Sequence, residues 1–195
     1  MFDSSPAAAQ ARQVHHLFFA ALPCADIAAR VVKLAATLRS AHKLRGAPTA
    51  AERLHITLCP VATFDGQPLS WIVAEAVNIA EQIASVTPPF GVVFNRAVGF
   101  DNRWRGAKLA LCGGEELKPA VILQQNLRSA LRRAGVDGGR GTLSNPHVTI
   151  VYDAGRVVGE YPIIPISWPI EQFVLIDSLH GQDRHVRLGS WPLRG

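Results

Sequence analysis

Cysteine is scarce in this sequence: three residues in 195, Cys24, Cys59 and Cys112, far apart and never in Cys-x-x-Cys spacing. An odd, scattered count argues against a disulfide framework and against a zinc knuckle. Charge is also sparse, at 18% against 48% hydrophobic residues, the reverse of a disordered chain. The surplus of Lys+Arg over Asp+Glu is small, 20 against 15. It suits a phosphate-bearing partner without requiring one. Long apolar runs are missing, since the strongest, Leu17 to Leu22, is far too short to cross a bilayer. Met1 to Ser5 has neither the basic start nor the apolar core of a signal peptide, so the expected location is the cytoplasm.

What is present is an orderly alternation of strand and helix signals. Residues 1–12 are small and polar without a period and read as a loose tail. Val14 to Leu22 reads as a strand ended by Pro23. Asp26 is placed to cap a helix whose apolar positions are Ile27, Val31, Leu34 and Leu38. Arg53 to Val61 reads as a strand, and Ser70 as the cap of a second helix stopped by Pro88-Pro89. Strands follow at Phe90 to Gly99 and Trp104 to Cys112, then a helix over Glu115 to Ala134. Pro146 to Tyr152 is a strand, Tyr161 to Pro169 is proline-rich and extended, and Phe173 to Ser178 with His185 to Leu188 makes a last pair.

The order contains a repeat. Strand, helix, strand occurs from Val14 to Val61 and again from Trp104 to Tyr152. Leu17 precedes His55, and Leu109 precedes His147, by the same 38 positions. Both helices also carry Leu-Arg-Ser-Ala, at Leu38 to Ala41 and Leu127 to Ala130. Matching order suggests two similar lobes.

Each repeat ends in one local pattern, Leu54-His55-Ile56-Thr57-Leu58 and Pro146-His147-Val148-Thr149-Ile150. Side chains on a strand alternate between faces. His55 and Thr57 therefore share one face and Leu54, Ile56 and Leu58 the other; His147 and Thr149 likewise oppose Val148 and Ile150. With 7 His and 7 Thr in the chain, random placement gives about 0.25 His-x-Thr, so two at matching points of a repeat are informative. Paired imidazoles can divide into base and acid near neutral pH, and threonine hydroxyls can hold phosphoryl oxygens as neutral donors. Phosphodiester displacement needs that set, without a metal. The plainer reading is half-buried polar residues on solvated sheet faces. Two other functions remain open: an RNA-binding module whose histidines are not catalytic, and a metal hydrolase using His55 and His147, for which no carboxylate stands at ligand spacing.

The two His-x-Thr-x motifs resemble the signature of the 2H phosphoesterase superfamily, and within it the bacterial 2′-5′ RNA ligase or RNA 2′,3′-cyclic phosphodiesterase proteins. His16 to Pro23 resembles the family's first strand, and Val174-Leu175-Ile176-Asp177-Ser178 its late strand ending in Ser. The chain departs from the family at Cys59-Pro60-Val61 after the first motif, at Val151-Tyr152 after the second, and at Asn145 before it. The resemblance implies an α+β fold over 13–195, bilobal and pseudo-twofold, with two mainly antiparallel sheets facing a central cleft and helices outside. It implies metal-independent hydrolysis of RNA 2′,3′-cyclic phosphate ends, reversible 2′-5′ ligation, and no cofactor. The implied partner is RNA or a small cyclic-phosphate nucleotide, not a membrane, and the expected state is a monomer. The implied catalytic residues are His55, Thr57, His147 and Thr149, with His55 as acid and His147 as base. Phe18, Tyr152 and Arg105 are candidate substrate contacts, with Trp104, Arg103 and Arg140 as further surface candidates. Rate should follow a bell around neutral pH, one imidazole titrating below its ordinary value and one above.

Overall fold

The computed structural model describes residues 13–101, 106–136, 145–155, 159–182 and 184–195. The elements run β1 (Val14–Ala21), α1 (Ala25–Ala41), β2 (Ile56–Asp65), α2 (Ser70–Ser85), β3 (Phe90–Phe100), β4 (Lys108–Cys112), α3 (Lys118–Arg133), β5 (His147–Val151), β6 (Glu160–Ile170), β7 (Gln172–Leu179) and β8 (Arg184–Pro192). Short 3-10 turns at Ala51–Arg53 and Glu115–Leu117 lead into β2 and α3.

The fold is α+β with an antiparallel sheet, as expected. The two sheets anticipated from the sequence are here two four-stranded halves of one sheet, in the order β6-β3-β4-β5-β2-β1-β7-β8. The halves meet between β5 and β2 at one register pair, Ile56 with Val148. Reading outward from that seam, β4 mirrors β1, β3 mirrors β7, and the edge strand β6 mirrors the edge strand β8. Leu17 and Leu109, the reference points of the 38-residue spacing, lie in the mirrored strands β1 and β4 and are both buried. The shared Leu-Arg-Ser-Ala is not part of this symmetry, since it stands 17 positions before His55 but 20 before His147.

Period-two patterning decides which face is covered. Leu54, Ile56, Leu58, Val148 and Ile150 are all buried, in one core with Val31 and Ala35 of α1, Ala76 and Ile79 of α2, and Leu123, Leu127 and Leu131 of α3. Each fully buried leucine of this kind contributes about 1.5–3 kcal/mol. The helices cross the seam. α1 leaves β1 in one half and packs on β5 and β6 of the other, while α3 leaves β4 and packs on β2.

Local details correct several expectations. Asp26 is not the cap of α1 but lies in its first turn, where a carboxylate suits the helix dipole; Cys24 is the capping position. Ser70 is likewise the first residue of α2 rather than its cap. The proline-rich segment is a full strand, β6, because it is the edge of the sheet and missing N–H groups there break no ladder. Pro60 is tolerated in β2 because β2 pairs with β5 only at Ile56. The expected tail over 1–12 lies outside the described residues.

Candidate active site

His55 and His147 are held in the same way. In each case the ring Nδ1–H donates to the carbonyl two residues back, to Arg53 O at 2.7 Å and to Asn145 O at 2.8 Å. A carbonyl only accepts, so the hydrogen sits on Nδ1, and Nε2 carries the lone pair when the ring is neutral. Because Ile56 pairs antiparallel with Val148, counting outward sets His55 opposite Thr149 and Thr57 opposite His147. The four side chains are half-buried and share the face away from the helices. Each histidine thus faces the threonine of the other motif across the seam.

The surroundings of the two rings are similar but unequal. His55 lies 5.2 Å from the ring of Phe18 and 5.3 Å from that of His185, and Phe18 lies 5.9 Å from His185. His147 lies 6.0 Å from the ring of Phe100. The Lys108 ammonium donates to His147 Nε2 at 3.1 Å and sits 5.5 Å from the Phe100 centroid. Beside Phe18, Ala20, Leu22, Val174 and Ile176 form a small apolar cluster separate from the main core.

Burial holds His55 well below the ordinary imidazole range, at about 4; its hydrogen bond to Arg53 O works the other way, and positive charge on His185, His147 and Arg53 adds to the lowering. Burial also lowers His147, with the Asn145 carbonyl opposing and Lys108 assisting. In the unbound protein both rings are therefore neutral at pH 7. The expectation that one ring titrates above its ordinary value is not met in the unbound protein, because burial outweighs the hydrogen bond at each ring. Among the described residues, the charges that act on both rings are cationic. Burial pushes the Cys59 thiol up to about 12 and also raises that of Cys112, which makes neither a thiolate nucleophile.

A family model for the 2′-5′ RNA ligase superfamily matches residues 23–182. The chain belongs to the 2′-5′ RNA ligase superfamily. Among solved structures it is similar to E. coli LigT, crystallised with 3′-AMP, at 25% identity and a TM-score of 0.73, covering 93% of this chain and 99% of that one. A structure described as a phosphoesterase matches at 26% identity and a TM-score of 0.72, again over 93% and 99%. TT0787 of Thermus thermophilus, at 19% identity and a TM-score of 0.72 over 92% and 98%, shares the fold. No curated protein matches the chain. Membership in the superfamily makes this an enzyme of the 2H phosphoesterase and 2′-5′ RNA ligase type.

The two His-x-Thr pairs singled out in the sequence come together at the seam, and Phe18 packs on His55. Tyr152 does not join this group. It lies exposed just beyond β5, its carbonyl against Gly46. Arg105, Arg103, Trp104 and Arg140 lie outside the described residues. Of the adjacent His15 and His16, the first is buried on the helix side, its Nδ1–H donating to Asp177 Oδ2 at 2.7 Å, and the second hydrogen-bonds Thr63 on the open side. His42 is the C-terminal cap of α1 and packs its ring 4.3 Å from Tyr161.

Three neighbours were not legible in advance. Lys108 and His185 reach the motif only through strand pairing. Gln124 does so through α3, where it interrupts an apolar face and donates to the Thr57 carbonyl at 3.0 Å. A buried glutamine on an amphipathic helix was the one available signal. Among the described residues, no group of three or more His, Cys, Asp or Glu is placed to hold a metal. No helix among them is long and apolar enough to cross a membrane.

Proposed function

We propose that the protein hydrolyses the 2′,3′-cyclic phosphate ends of RNA by metal-independent acid–base catalysis, and that it can also join such an end to a 5′-hydroxyl, reversibly, in a 2′-5′ linkage. The observation that carries this reading is the pair of identically held imidazoles, each with an Nε2 lone pair to exchange a proton and each facing a threonine hydroxyl across the seam.

His147 is the base. The fixed positive charge of Lys108 disfavours its protonation, so it remains a lone-pair acceptor. It takes a proton from water as the water oxygen bonds to phosphorus. His55 is the acid. Its closest titratable neighbour is an imidazole rather than a permanent cation, so an arriving phosphate anion can draw a proton onto it. The bond from phosphorus to one ribose oxygen breaks, and that oxygen takes the proton from His55 Nε2. Thr57 and Thr149 donate to the non-bridging oxygens, where charge grows. In ligation a 5′-hydroxyl replaces water as the nucleophile and gives its proton to His147, while His55 protonates the departing 3′-oxygen; the proton roles exchange only when that linkage is cleaved back to the cyclic phosphate. Phe18 with its apolar neighbours suits the terminal ribose and base.

The test is turnover of a 2′,3′-cyclic-ended oligonucleotide with product regiochemistry read by chromatography, in wild type and in the His55→Ala, His147→Ala double variant. A single monophosphate isomer in wild type and none in the double variant is expected. Undiminished turnover in the double variant removes the mechanism. RNA binding without turnover in wild type makes the protein a binding module.

A further inference from the structure

Neither histidine motif contains the third imidazole of this cleft. His185 stands on β8, opposite Ser178 of β7, and Ser178 is in turn opposite His16 of β1. Directly opposed residues share a face, so this register puts His185 on the same open face as Phe18 and His55. The three rings are mutually in contact, at centroid separations of 5.2, 5.3 and 5.9 Å. His185 meets His55 at 71°, edge against face.

We propose that His185 is a positioning residue for this site: it fixes the attitude of the His55 ring and sets how readily that ring carries a proton. The role in turnover rests on the proposed phosphodiesterase reading; the effect on His55 does not. The two motifs give the physical reason. His147 has a permanent cation at its Nε2, the Lys108 ammonium, and is biased one way at every working pH. His55 has instead a titratable ring beside it, 5.3 Å away between centroids. Among the described residues, the titratable and charged groups that act on His55 are His185 from β8, His147 from β5 and Arg53 from the turn ahead of β2; β1 contributes the uncharged Phe18. His185 itself faces Ser178 of β7 and Phe18 of β1, with Arg187 two residues along β8 on the same face, opposite Ile176. Positive charge on His185 lowers the proton affinity of His55, and a phosphate placed between the two rings favours a proton on both.

The consequence has one sign whichever role His55 plays. Removing the His185 charge raises the proton affinity of His55. If His55 works in its neutral form, the acid limb of kcat/KM moves to higher pH; if it works protonated, the alkaline limb does.

The experiment is an NMR titration of the His55 imidazole in the full chain, without substrate, in wild type, His185→Phe and His185→Ala. In His185→Phe, which keeps an aromatic ring on Phe18 and His55, the midpoint should climb by roughly 0.6 to 2.4 pH units, the span between bulk water and a protein surface for unit charges about 5 Å apart. The kcat/KM limb should follow it, with His147 unmoved. His185→Ala should add a fall in kcat through loss of ring packing that His185→Phe does not show. An unmoved His55 midpoint in a folded His185→Phe protein overturns the proposal, even if wild type turns over cyclic-ended RNA. Absence of turnover in wild type, with the midpoint moved, removes the phosphodiesterase reading and leaves the coupling standing.

Discussion

At the scale of single residues, the alternation His-aliphatic-Thr was readable from the sequence because strand geometry enforces it. The unequal neighbours of the two histidines were not, because Lys108 and His185 arrive through pairings that no local pattern encodes. His55→Ala or His147→Ala should lower kcat on a cyclic-ended oligonucleotide by about 10²- to 10⁴-fold with the fold intact by circular dichroism. Thr57→Val or Thr149→Val should cost about 10²-fold, the loss of one oxyanion contact. Because burial lowers both imidazoles in the unbound protein, the bell in kcat/KM should centre on the acid side of the ordinary value of about 6.5. The profile of kcat, which reports the substrate-bound state, should reach further toward alkali. A kcat/KM rate still climbing through pH 9 would mean hydroxide is the nucleophile. The same group also leaves a mark on stability. His55 binds a proton at about 4 when folded and near 6.5 when unfolded, so the unfolded chain charges first as pH falls. Stability is complete above about 6.5, declines between there and about 4, and loses nothing more from this group below. The gap amounts to roughly 3 kcal/mol, or several degrees in Tm. Thermal melts of wild type and His55→Gln across that window should converge as pH drops.

At the scale of elements, most strands and all three helices were legible from periodicity and from Pro and Gly punctuation. Which half of the sheet each helix covers was not, because the apolar stripe of α1 suits either. The crossing of α1 to the far half depends on how the chain leaves it. The loop after α1 is tied to the end of β5 by backbone hydrogen bonds from Arg45 to Ala154, Gly46 to Asp153 and Thr49 to Ile150. At Gly46 a Cβ would fall 1.7 Å from the Tyr152 carbonyl oxygen, with a second backbone carbonyl at 3.0 Å. Neither can yield as a flexible side chain would. Gly46→Ala should therefore destabilise the protein by about 1–3 kcal/mol, the range of overpacked sites. Its urea midpoint should fall without a change in slope. An unaltered midpoint would show that this loop does not hold α1 in place. Distance along the chain likewise explains why β6 was readable only as extended chain. Its place at the sheet edge is set by pairing with β3, and Ile170 meets a partner, Phe90, that lies 80 positions earlier.

For the whole molecule, the sequence repeat carried the mirror order of the sheet, and the structure added that the mirror line passes between Ile56 and Val148. The chemistry proposed for that line uses imidazoles and hydroxyls alone, so turnover should be unchanged by EDTA. Loss in EDTA with recovery on adding zinc or manganese would assign the reaction to a metal hydrolase instead.

The interleaving of the halves also governs how the protein is born. Ile56 and Val148 are 92 residues apart in the chain, and β1 and β2 cannot complete their half until β7 and β8 have been made. A ribosome therefore exposes β1 with an unpaired edge for most of the synthesis. The cleft can close only after residues 172–192, which form β7 and β8, have emerged. Such long-range pairing is slow to form and open to wrong partners while it waits. A nascent chain released before that point lacks two of the four strands of the half that carries His55, and its β1 keeps an open edge.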